Sequence, residues 1–207
     1  MFRYIKGELM DLPDQLTERF PFLYILEEDW QPLERWALAG WLVFYLLFLY
    51  QAYQGQGLLL MIDLVFIPIH EGGHLLFRFF GQWISVAGGS FLQLFAPFAL
   101  AVYFALNRQA AGTAFCLFFF FEQFLPISTY MADARAQELP LLTVGDGDYV
   151  IHDWNYLFGG LGVLNHDTTI AGAVRALGWL GMCATVAWLI VRAWTSVTSA
   201  GRAQTAI

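Results

Sequence analysis

The chain has 207 residues, 58% of them hydrophobic and 13% charged, which lies outside the composition of a soluble globular domain. With 20 Phe, 9 Tyr and 8 Trp and a mean hydropathy of +0.55, it is neither disordered, collagen-like nor a coiled coil, and a net charge of −7 excludes a basic nucleic-acid-binding surface. These figures predict an all-α integral membrane protein, with lipid as a partner and no nucleic acid.

Residues 1–35 hold Glu8, Asp11, Asp14, Glu18, Glu27, Glu28, Asp29 and Glu34, so the acidic excess belongs to the segment before the first apolar run. That segment reads as amphipathic helix lying at the interface, broken by Pro13 and Pro21, and not as a secretory signal. A single transmembrane domain, 36–194, follows, and 195–207 form a tail.

A hydrocarbon core of about 30 Å needs about 20 apolar residues as helix. Residues 36–53, 57–80, 110–130 and 176–194 come close to that length. A fifth run, 90–106, is shorter, holds Pro97 and follows Gly88-Gly89-Ser90, which predicts irregular backbone dipping into the membrane and returning. The count is five spans, or four with a re-entrant Gly-rich segment after the second.

Five crossings from a cytoplasmic N-terminus put Arg3, Lys6, Arg19, Arg35, Arg78, Arg135 and Arg175 on one side, against Arg108, Arg192 and Arg202. That asymmetry favours the N-terminus inside, in a plasma or inner membrane. Cys116 and Cys183 sit within apolar runs and form neither a disulfide framework nor a thiolate metal site.

The second run carries His70-Glu71-Gly72-Gly73-His74, an HExxH pattern. At about 100° per residue the two His lie about 40° apart on one helix face, so both imidazoles can reach one Zn²⁺ while Glu71 flanks a bound water as general base. Ionisable groups in a span are costly and mark function by default. Asp63, seven residues before His70, returns to the same stripe as an outer partner, and Pro68 should kink the helix just before the site.

A catalytic zinc needs a third protein ligand. The polar loop 131–168 supplies the candidates: His152 first, where a helix begins, and Asp133 close behind it. Asp146 and Asp148 flank Gly147 and read as turn acids, while Asp153 and Asp167 read as helix caps, Asp153 being also a candidate outer-shell residue. Glu122 reads as a buried acid bonded between helices.

The His70-Glu71-Gly72-Gly73-His74 motif within a span, its continuation to Gly81, and the following Ala87-Gly88-Gly89-Ser90 with Pro97 resemble the intramembrane zinc metalloproteases of the site-2 protease kind. The resemblance covers roughly residues 65–105. It implies that His70 and His74 are zinc ligands, that Glu71 is the base, and that the reaction is peptide hydrolysis within or near the bilayer, on a membrane-protein or peptide substrate. The family's third ligand, an Asp of a later span, has no aligned counterpart. Two other readings stand beside the hydrolase: a non-catalytic membrane scaffold or substrate-binding relative, and a haem protein ligated by His pairs.

Overall fold

The structure is a computed structural model, and it describes residues 30–55, 58–140 and 151–204. Most of the segment expected at the interface, and the acids Asp146 and Asp148, lie outside the described residues, as does the side chain of Asp63. The described chain is helical: α1 (Arg35–Gln54), α2 (Leu58–Phe77), a 3₁₀ turn (Arg78–Phe80), α3 (Gln82–Leu106), α4 (Ala110–Glu122), α5 (Phe124–Ala132), α6 (Asp153–Leu161), a second 3₁₀ turn (Leu164–His166) and α7 (Asp167–Gln204). No strand occurs among the described residues.

Four helical stretches there are long and apolar enough to cross a membrane: Arg35–Gln54, Gln82–Leu106, Ala110–Ala132 and Leu164–Ala193. Large apolar side chains such as Leu46, Phe91, Phe95 and Leu180 are exposed on their outer surfaces. Helices that are apolar all round, with such surfaces, suit a lipid surround.

One expectation is overturned. Residues 88–90 are not irregular backbone but the middle of α3, a continuous helix of 25 residues that also passes through Pro97. Gly88 and Gly89 are absent from the glycines with positive φ, so they are not there to turn the chain. They let two backbones meet. A Cβ on Gly73 of α2 would collide with the Gly88 carbonyl, and one on Gly88 would sit 2.8 Å from the Gly73 carbonyl oxygen. Without a hydrophobic drive between helices in lipid, such close approach gives the van der Waals contact that holds α2 to α3.

Helices α1, α4 and α7 meet in an aromatic-rich core of Tyr45, Phe48, Phe118, Phe119, Met182 and Leu189. At one end of this bundle the start of α1 joins the α3–α4 turn. Gln31 donates its backbone N–H to the Arg108 carbonyl at 2.9 Å and its side-chain amide to the Asn107 carbonyl at 3.2 Å. Trp30 packs edge-on against Trp188 of α7, with ring centroids 5.1 Å apart. Elsewhere Arg135, after α5, grips Asp167 at the start of α7 through Nε at 2.8 Å and Nη2 at 2.8 Å. Asp167 also accepts from the Thr168 N–H, and it is the first residue of α7 and not the cap that precedes it.

Candidate metal centre

His70 and His74 lie one turn apart on α2, as the spacing requires, with ring centroids 4.7 Å apart. One ligand atom from each of His70, Glu71 and His74 falls within 4.8 Å of the others, a grouping that could hold a metal ion. What the imidazoles do with their remaining atoms decides how well it would be held.

Each Nδ1 is committed to the protein. His74 Nδ1 stands 2.9 Å from the Ser85 carbonyl oxygen, and Ser85 Oγ in turn donates to the His74 carbonyl. His70 Nδ1 stands 2.9 Å from Gln93 Oε1. A carbonyl oxygen only accepts, so both Nδ1 atoms carry a proton, and Nε2 is the nitrogen each ring has left to offer a metal. The orientation of Gln93 follows from its neighbours. Its Nε2 donates to Gln123 Oε1 at 2.7 Å, and Gln123 Nε2 donates to Glu122 Oε2 at 2.7 Å. A relay of buried side chains on α3, α4 and the α4–α5 junction thus ends on a carboxylate and sets the tautomer of His70.

The two Nε2 atoms face the carboxylate of Asp153. Its Oδ2 lies 3.0 Å from His70 Nε2 and 3.3 Å from His74 Nε2. Three atoms that can ligate a metal therefore converge. A tetrahedral site with bonds of about 2.0–2.1 Å has ligand atoms about 3.3 Å apart, close to both distances. Room is left where an ion would need it: a Cβ on Gly89 would lie 2.6 Å from His74 Nε2 and 2.7 Å from His70 Nε2. The donor set and the bare backbone of Gly89 both fit a divalent metal ion.

The structure does not bring His152 or Asp133 to this group. They pair with each other, His152 Nε2 to Asp133 Oδ2 at 3.3 Å, while His152 Nδ1 accepts the Asn155 N–H at 3.2 Å as the N-cap of α6. Both ring nitrogens are spent inside the protein. The Asp133 carboxylate also accepts from the Glu138 and Leu139 N–H groups at 2.9 and 3.1 Å. The capping role expected of Asp153 falls to its neighbour, because α6 starts at Asp153 itself, one residue earlier than a cap at 153 would need. That phase turns Asp153 towards α2.

Glu71 lines a cavity of about 930 Å³ together with His70, His74, Asp153, Tyr130 and Arg78. Among the described residues no hydrogen bond or ion pair ties its carboxylate down. Ser85, Gln93, Gln123 and Tyr130 were not singled out by the sequence, and Gly89 only as part of a stretch of irregular backbone. Polar Gln93 and Gln123 inside apolar runs were the available signal, whereas nothing separates Gly89 from a flexible glycine until its neighbours are known. Comparison with protein-family models, curated proteins and solved structures found no match.

Proposed function

We propose that the protein is a membrane-embedded zinc hydrolase, and that its reaction is cleavage of a peptide bond. The observation that carries this reading is the convergence of His70 Nε2, His74 Nε2 and Asp153 Oδ2, both imidazoles anchored through Nδ1, with the Glu71 carboxylate beside them. Zinc bound by His70, His74 and Asp153 would polarise the substrate carbonyl and lower the pKa of a bound water to about 7. Glu71, adjacent to His70 but turned about 100° away around the helix, takes the proton of the attacking water and returns it to the departing nitrogen. Side chains such as Phe66, Ile67, Ile127 and Leu139 give the cavity apolar walls, which support an apolar, extended peptide as substrate over a small polar one.

Replacing Glu71 with Gln tests the reading. The variant should keep its zinc, by metal analysis of purified protein, and lose turnover by about 10²- to 10⁴-fold. Substrate should then accumulate uncut in cells carrying it. Wild-type function in Glu71→Gln would remove hydrolysis and leave the scaffold reading, and a Soret band in purified protein would favour haem.

In a bilayer the pairing of Gln31 with Arg108 supports four crossings. Backbone atoms 2.9 Å apart cannot belong to opposite faces of a hydrocarbon layer about 30 Å thick. An even number of crossings therefore separates residues 31 and 108, and α1 with α3 supplies two. On this reading α2, which bears the HExxH motif, makes no complete crossing. The basic residues then divide as Arg3, Lys6, Arg19, Arg35, Arg108, Arg192 and Arg202 against Arg78, Arg135 and Arg175, again favouring a cytoplasmic N-terminus. A reporter fused at Gln204 should read cytoplasmic, and a readout on the far side would restore five crossings.

A further inference from the structure

Tyr130 stands on the wall of the cavity, at the end of α5. Its hydroxyl oxygen accepts the backbone N–H of Asp153 at 3.1 Å, and the carboxylate of that same residue touches both Nε2 atoms. Its ring is wedged against His152, with centroids 4.3 Å apart. The phenol is thus held from two sides, next to the residue that faces both imidazoles. A phenol has one proton to donate besides the lone pairs it can offer. Here a lone pair is used and, among the described residues, the proton has no acceptor. The other side-chain donors on the wall besides the imidazoles are Arg78, Gln82, Ser85, Ser90, Gln93 and Thr129. Of these, Ser85, Gln93 and Thr129 donate to the His74 carbonyl, Gln123 Oε1 and the Leu125 carbonyl, and the Arg78 guanidinium rests over the Phe79 ring at 4.8 Å.

Resting on the hydrolase reading above, we infer that Tyr130 is a catalytic residue that donates its O–H to the carbonyl oxygen of the substrate as that carbon becomes tetrahedral. The water oxygen forms its bond to the carbonyl carbon, the π electrons move onto the carbonyl oxygen, and Glu71 holds the water's proton. Tyr130 keeps its own proton throughout and shares it with the new negative charge. When the C–N bond breaks, the electron pair of that bond leaves on nitrogen, Glu71 returns the proton to it, and the oxygen's electrons re-form the carbonyl. A fixed donor in a water-poor cavity stabilises such charge far better than in bulk solvent, and one such donor is worth about 10²- to 10³-fold in rate. The bond to Asp153 N keeps the hydroxyl in place beforehand, so little is lost in aligning it.

A purely structural Tyr130 would matter only by holding Asp153, and two metal-directed probes with the same side chains separate the roles. N-phosphoryl-leucyl-phenylalanine presents tetrahedral oxyanions, whereas the matching mercaptoacyl compound offers the metal a thiolate and no oxyanion. With the zinc-loaded full chain, Tyr130→Phe should keep its zinc, weaken the phosphoryl probe by about tenfold or more, and leave the thiol probe within about twofold. Equal weakening of both probes would overturn the inference. Should Tyr130→Phe shed its zinc, 3,5-difluorotyrosine at the position keeps the bond to Asp153 and is a stronger donor. It should tighten the phosphoryl probe relative to the thiol probe, and an unchanged ratio would overturn the inference. Failure of both probes to bind the zinc-loaded wild type would instead remove the hydrolase reading, and this inference with it.

Discussion

Two histidine–aspartate clusters sit side by side, built from the same residue types and joined through the adjacent residues 152 and 153, yet only one is open to chemistry. In the sealed cluster His152 gives one nitrogen to Asp133 and the other to the start of α6, and both side chains are buried. In the open one, His70 and His74 are anchored through Nδ1, and both turn Nε2 to the single Asp153 carboxylate on the wall of the cavity. Residue type does not separate a ligand from a strut. The convergence of two imidazoles on one carboxylate beside a cavity does.

The sharpest way to break this contrast is to remove one aspartate or histidine from each cluster. Asp153→Ala should weaken zinc binding by at least about a hundredfold, since it deletes a lone pair facing both imidazoles. His152→Asn keeps a side-chain acceptor for the Asn155 N–H and should stay within about tenfold of wild type. Competition against a chelator of known affinity measures both. If His152→Asn stripped the metal as fully as Asp153→Ala, the two clusters would be one site.

A smaller change probes the space between the imidazoles. Gly89→Ala puts a methyl carbon at 2.6–2.7 Å from both Nε2 atoms, where an ion would have to pass. The His rings can turn aside, so the fold should survive with a melting temperature within a few degrees of wild type, while zinc affinity falls about 10- to 100-fold. Full affinity in Gly89→Ala would mean that the ion is held somewhere else.

The open cluster was half legible in the sequence. Helix period alone brings His70 and His74 together, and length with apolarity finds the helices. The third partner depends on the phase of α6, where a shift of one residue rotates the chain by about 100° and exchanges the places of His152 and Asp153. Nothing in the local sequence fixes that phase, because both residues can cap a helix. It is set by distant groups, the Tyr130 hydroxyl on the Asp153 N–H and the Ala134 carbonyl on the Asn155 side chain. The glycines of α3 were misread for a related reason. Glycine serves a bend and a close helix contact equally well, and the partner that decides, Gly73, lies on another helix.

The sealed cluster should answer in stability and not in metal. Burial pushes the Asp133 carboxyl up, but the N–H groups of Glu138 and Leu139 and the His152 ring outweigh it and hold it below the usual range. A carboxylate lowered by folding adds stability above its unfolded pKa of about 3.9, and that contribution is lost as pH falls through the lower folded value. Asp133→Asn keeps the shape but removes the charge, so thermal unfolding of metal-free protein in detergent should show it about 1–2 kcal/mol less stable at pH 7. The gap should narrow as pH drops below about 4, because the wild-type carboxylate then takes up its proton while the amide has none to gain. Zinc affinity at pH 7 should stay within a few-fold of wild type, as Asp133 reaches the open cluster only through the cap of α6. A gap that stayed constant from pH 7 to pH 3 would show that Asp133 holds the loop by shape alone, and a large loss of zinc would tie it to the metal after all.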